Sequence, residues 1–135
     1  MIVLDTSVAV PAVLPWHAAH DAVRSTLPRQ KTRALAPVAI ETYSVLTRLP
    51  PPQRVPADVA RGYLIEAFSF PPLVLAPTGY AQLLDLASAE GITGGAVYDA
   101  IVAATAVQAG ATLLTRDTRA VKTYQRVRAA YRLVG

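Results

Sequence analysis

The chain contains no cysteine, which excludes disulfides and thiolate metal sites and permits a reducing compartment. Charge is missing from a long stretch as well: Gly91 to Thr115 carries one charged residue, Asp99. That stretch does not read as a membrane span, because Gly94, Gly95, Gln108 and Gly110 interrupt its alanines; a buried helix followed by a buried strand accounts for it. No basic leader precedes the apolar start, and Asp5 lies inside it, so a secretory leader is not expected and a cytoplasmic protein is. Repeats, low-complexity tracts and linkers are also lacking. The proline-rich Leu49 to Pro56 reads as a surface turn, and 135 residues, 53% of them hydrophobic, suit a single domain spanning 1–135.

Acids are the scarcer sign of charge. Nine Asp and Glu stand against 13 Lys and Arg, for a net charge of +4. Four of the nine, Asp5, Glu41, Asp99 and Asp117, fall in positions that suggest chemistry, which leaves five acids for the rest of a basic surface. An acidic pocket in a basic surround suits a polyanionic substrate bridged by cations, although a basic pI alone is also ordinary for a soluble protein.

The pattern starts at the first residues, Met1-Ile2-Val3-Leu4-Asp5-Thr6-Ser7-Val8. An apolar run without alternation suits a short strand covered on both faces, and Asp5 ends it. In parallel sheets of this kind, ligands bind at the carboxyl ends of the strands. Further on, helices are expected over Ser7–Leu14, His17–Leu27, Val38–Leu49, Pro56–Phe70, Thr78–Ala89 (capped by Thr78), Ala96–Ala109 and Thr118–Ala130. Strands are expected at Ala34–Ala36, Leu73–Leu75, after a break at Pro71-Pro72, Thr112–Thr115 and Tyr131–Val134. The alternation predicts an α/β domain with a parallel sheet and helices on both faces.

Asp5 and Asp117 follow strands, while Glu41 and Asp99 are expected in the first turns of their helices. A carboxylate at a helix start is favoured by the helix dipole, so each of those two has an ordinary explanation taken singly. Together the four acids would repel one another unless a cation intervened. Carboxylates and hydroxyls, without a Cys or His set, suit Mg²⁺ or Mn²⁺ over Zn²⁺, and the chemistry implied is phosphodiester hydrolysis. Ala103 and Ala106 share the helix face of Asp99 and allow that helix to approach the sheet closely.

These motifs, Val3-Leu4-Asp5-Thr6-Ser7, Glu41, Tyr98-Asp99-Ala100-Ile101 and Leu113-Leu114-Thr115-Arg116-Asp117, resemble those of PIN-domain ribonucleases, in particular the VapC type, the toxins of bacterial toxin–antitoxin pairs. The resemblance covers essentially the whole chain. It implies a three-layer α/β/α domain with about five short parallel strands and metal-dependent endonucleolytic cleavage of RNA that leaves a 5′ phosphate. It also implies a growth-inhibiting role when the protein is free of antitoxin, a cognate antitoxin partner and a homodimer. By position, Asp5 and Asp99 would ligate the principal Mg²⁺ or Mn²⁺ ion, Glu41 and Asp117 would hold it through water or ligate a second ion, and Thr6 and Thr115 would support them. The glycine often found before the last strand in relatives is missing between Val127 and Ala130.

Arg119, Lys122 and Arg126 share one helix face and, with Arg116 and Arg48, are candidates to hold RNA phosphates; a solvated helix face is the plain alternative. His17 and His20 lack a third ligand nearby, so a metal on them is not expected. Trp16, Tyr63, Phe68 and Phe70 are assigned to the core, or to a protein interface where exposed. Two other acid-lined families fit poorly. An aspartyl phosphatase would want an acid where Ser7 stands, and a receiver domain would want paired acids after its first strand. A PIN nuclease of RNA processing without an antitoxin, and a silent RNA-binding scaffold, are the competing readings.

Overall fold

The computed structural model describes residues 1–135. Strand β1 (Ile2–Leu4) pairs in parallel with β4 (Thr112–Thr115), which pairs in parallel with β5 (Tyr131–Leu133). A second parallel ladder joins β2 (Thr32–Leu35) to β3 (Phe68–Leu73), and β2 lies against β1. Every hydrogen-bonded strand pair is parallel, as alternation with helices predicts, but the expected sheet is hydrogen-bonded as two ladders. The pairing of β2 also shifts register between Arg33 and Leu35.

Both faces of the central strand β4 are covered. Leu113 and Leu114 are consecutive in β4, so their side chains point to opposite faces, yet they are 0% and 1% exposed. Helices α1 (Thr6–Val13), α2 (His20–Arg24), α3 (Ala36–Thr47) and α4 (Ala57–Ala67) pack on one another. Helices α5 (Pro77–Glu90), α6 (Ala96–Gln108) and α7 (Thr118–Val127) form a second group. Ala100, Ala103 and Ala106 of α6 are fully buried, so the small-residue face does bring that helix close against its neighbours. No helix is long and apolar enough to cross a membrane.

Several element boundaries differ from expectation, each for an identifiable reason. Helix α3 begins at Ala36, with Pro37 in its first turn, so Glu41 lies in the second turn and the dipole explanation offered for it weakens. Strand β3 runs through Pro71-Pro72 instead of starting after them. It pairs only with β2, and an edge strand tolerates residues that cannot donate. Thr78 does not cap α5; Pro77 opens that helix after Ala76, with no side-chain cap. The helix expected over His17–Leu27 is ordered only as α2. Pro15 cannot donate to the carbonyl of Pro11 in α1, and His20 Nδ1 takes that place, donating to it at 2.8 Å. At the end of α7, Arg128 itself adopts the left-handed conformation (φ 64°) that glycine would fill most easily.

Candidate active site

Two strand-to-helix junctions lie side by side because β1 and β4 are neighbours in register. Asp5 leaves β1 and caps α1, its Oδ1 accepting from the Val8 N–H at 3.3 Å. Asp117 follows β4 and caps α7, its Oδ1 accepting from the N–H groups of Arg119 (2.9 Å) and Ala120 (3.4 Å). Each junction therefore places a carboxylate at the positive end of a helix dipole, at the carboxyl end of a strand. A cleft of about 540 Å³ opens there, lined by Asp5, Glu41, Asp99 and Asp117 together with Ser7, His17, Arg116, Arg119 and Tyr124. Helix α6 supplies Asp99 from its first turn and α3 supplies Glu41.

Electrostatics ties the four acids together. Asp99 is pushed up to about 6, first by burial and then by the charges of Asp117, Glu41 and Asp5, with Arg119 opposing. Burial and the three neighbouring carboxylates all disfavour the charged form of Asp99. No three of the chain's acids and histidines converge closely enough to enclose a bare ion by themselves. The donor set nevertheless fits a hard divalent cation that keeps several waters and takes one or two carboxylates directly, the usual habit of Mg²⁺.

The hydroxyls divide differently from expectation. Thr6 lines the cleft but makes no side-chain hydrogen bond, and Ser7 takes the supporting role. Its hydroxyl donates to Asp5 Oδ1 and accepts from the Arg116 N–H at 2.7 Å, which joins the two junctions. Thr115, fully buried, accepts from the Asp117 N–H at 3.0 Å and lies 3.4 Å from Ser7 Oγ. From α7, the Tyr124 hydroxyl reaches Asp5 Oδ2 at 2.8 Å in a buried hydrogen bond. Burial, and then the Asp5 carboxylate, hold the Tyr124 phenol well above the ordinary tyrosine range. In sequence Tyr124 carries no functional signal, because an aromatic at helical spacing on α7 has the pattern of a core residue.

Among the basic residues, Arg116 and Arg119 line the cleft; Lys122 and Arg126 are exposed further along α7. Arg119 lies 3.8 Å from Asp117 with its side chain 95% exposed, a pair of little energetic weight. Arg116 Nε is buried without a hydrogen-bond partner. Arg48 is not brought to the site: it ends α3, its guanidinium donates to Ser44 Oγ, and it does not line the cleft. His17, not expected to hold a metal with His20, does line the cleft. Its Nδ1 accepts from the Ala19 N–H at 3.0 Å, which puts the proton of the neutral ring on Nε2. Burial, then Arg116 and His20, keep His17 below the ordinary imidazole range. Phe68 is buried as expected; Trp16 is 51% exposed, against its assignment to the core, and Phe70 is 40% exposed.

Comparison with known proteins agrees with this geometry. The PIN domain family model matches residues 2–126. Ribonuclease VapC40 of Mycobacterium tuberculosis (strain ATCC 25618 / H37Rv) is 47% identical over 134 residues, covering 99% of this chain and 99% of the relative. Ribonuclease VapC27 of the same strain is 44% identical over 127 residues, covering 93% and 91%. Among solved structures, FitAB bound to an IR36 DNA fragment superposes with a TM-score of 0.73 at 21% identity, over 98% of this chain and 94% of that one. VapBC2 from Rickettsia felis, bound to a promoter DNA fragment, gives 0.68 at 17% identity over 100% of both chains. At those identities the two structures attest the fold.

Proposed function

The chain belongs to the PIN-domain family, and from that premise we propose that it is an endoribonuclease dependent on Mg²⁺ or Mn²⁺, the toxin of a VapBC-type pair. The observation that carries the proposal is the cleft in which Asp5, Glu41, Asp99 and Asp117 meet and raise the pKa of Asp99. Residues 1–135 act as one PIN domain, and the protein works in the cytoplasm.

Asp5 and Asp99 would hold the principal ion, with Glu41 and Asp117 steadying its waters or holding a second. A divalent ion there supplies neutralising charge for a phosphate and lowers the pKa of a water. The remaining chemistry falls to the chain. Ser7 and Thr115 fix the two junctions against each other. Arg116 and Arg119 stand at the cleft to receive the negative charge of the RNA backbone. His17 Nε2–H adds a neutral donor at the same opening, suited to a phosphate or base acceptor.

An antitoxin partner is favoured by a second feature. Ile40, Tyr43, Ile65 and Phe70, all exposed, border an apolar groove of about 560 Å³ between α3 and α4. Ile40 immediately precedes Glu41, so a chain lying in that groove runs on toward the acidic cleft. We also propose that the toxin itself is a homodimer.

The test is cleavage of total RNA by purified protein with Mg²⁺ or Mn²⁺, beside chelator and the Asp5→Asn and Asp99→Asn variants. Metal-dependent cutting that vanishes in both variants is expected. Cutting that persists in chelator would overturn the proposal.

A further inference from the structure

A tyrosine placed only to fill a core could be a phenylalanine; Tyr124 is not used that way. Its ring is 1% exposed and packs within the core, yet its hydroxyl finds a partner, and that partner is Asp5. The two residues lie 119 positions apart in sequence. Asp117, which caps α7, precedes Tyr124 by seven residues, so both lie on the same side of that helix, two turns apart. A single helix thus delivers one carboxylate to the cleft and a fastening to another.

The acceptor sites of Asp5 can be counted. An ionised carboxylate offers about four lone-pair sites, two on each oxygen. Oδ1 accepts from the Ser7 hydroxyl and from the Val8 N–H, and Oδ2 accepts from the Tyr124 hydroxyl. One site remains, on Oδ2. With donors on both oxygens the carboxylate cannot rotate without breaking hydrogen bonds, and at 4% exposure water does not replace them.

We propose that Tyr124 is a positioning residue for the divalent-cation site: by donating to Oδ2 it fixes the Asp5 carboxylate so that Asp5 offers the ion a single oxygen, Oδ2. This role rests on the metal-dependent reading above. In this role Tyr124 acts through Asp5, the acceptor of its hydroxyl. A donor that orients a ligand in this way commonly sets metal affinity by about 10- to 100-fold.

The test measures Mn²⁺ binding directly, by titration of the full chain with electron paramagnetic resonance of the free ion as readout. Wild type, Asp5→Asn, Tyr124→Phe and Tyr131→Phe are compared. The last is the control, because it also removes a tyrosine hydroxyl, one that meets Gln125 instead of Asp5. Tyr124→Phe keeps the ring, and the rise in Tm on adding Mn²⁺ reads the same affinity in a variant that has lost stability.

The expected result is saturable binding in wild type, its loss in Asp5→Asn, a Kd for Tyr124→Phe weaker by about tenfold or more, and a Kd for Tyr131→Phe within about twofold of wild type. Activity of Tyr124→Phe should then recover as Mn²⁺ is raised. Equal affinity in Tyr124→Phe and wild type would overturn the role of Tyr124 and leave the metal reading standing. A wild type that binds no Mn²⁺ would overturn both.

Discussion

The two strand-to-helix junctions of this protein use the same local design and end in different environments. At β1–α1, Asp5 is 4% exposed and both of its oxygens are engaged by donors from the chain. At β4–α7, the Asp117 side chain is 37% exposed, one oxygen caps its helix, and its only charged partner is a solvated arginine. Sequence proximity to a strand end is therefore not what distinguishes them. What distinguishes them is Tyr124 and Ser7, which engage both oxygens of Asp5, whereas Asp117 is held by one oxygen only. On this account Asp5 is a fixed ligand and Asp117 an adjustable one.

The largest expected effect breaks that contrast outright. Asp5→Asn should lower RNA cleavage by about 100- to 1,000-fold, since a lost ligand removes several kcal/mol of transition-state charge stabilisation. Asp117→Asn should lower it by about 10- to 100-fold, the range for groups that act through water or a ligand. Initial rates at fixed Mn²⁺ check both, and equal losses would erase the distinction between the junctions.

Next comes pH. Asp99, raised from 3.8 to about 6, binds a proton in the metal-free fold more readily than in the unfolded chain. Its contribution to stability is thus fully present below its unfolded value and is lost as pH rises through about 6. Metal-free Asp99→Asn should match wild type in Tm at the acid end, exceed it increasingly as pH rises from 3.8 to about 6, and keep a constant lead above that. Mn²⁺ affinity should fall as pH drops through the same range, because the ion and the proton compete for the carboxylate. Thermal melts across this range, with and without the ion, check both directions.

Ser7 and Thr6 sharpen the comparison at the level of one hydroxyl. Ser7→Ala removes a donor from Asp5 and strands the Arg116 N–H, which should cost about 1–3 kcal/mol in denaturant unfolding. Thr6→Ala, with no side-chain hydrogen bond to lose, should stay within about 0.5 kcal/mol.

The difference between those two neighbours also shows what could be read from the sequence. A carboxylate ending an apolar run, the small-residue face of α6 and the parallel order of strands are properties of local pattern, and they emerge intact in the fold. Which of Thr6 and Ser7 turns toward β4 depends on how α1 leaves its cap, a matter of packing. Tyr124 was hidden because its partner lies at the far end of the chain and its spacing is that of a core residue. Strand β3 was misplaced because prolines stop a central strand but not an edge. Arg48, a candidate phosphate contact in the sequence, ends α3 and turns its guanidinium back to Ser44, a side-chain direction that local pattern does not carry.

The smallest effect concerns the turn that leads out of the second junction's helix. Arg128 holds φ 64°, a conformation that costs a residue with a Cβ about 1–2 kcal/mol. Glycine would relieve that cost but adds freedom to the unfolded chain, so Arg128→Gly should stabilise by roughly 0.5–1 kcal/mol in denaturant unfolding. The cleft should be unaffected.

The most direct test of the central claim, that these carboxylates hold a divalent ion for hydrolysis of RNA, is the chemistry of the cut ends. Attack by water at the phosphate predicts 5′-phosphate and 3′-hydroxyl termini, formed only when Mg²⁺ or Mn²⁺ is present. Ends bearing a 2′,3′-cyclic phosphate, formed equally well in chelator, would show the ribose hydroxyl as nucleophile and contradict the account.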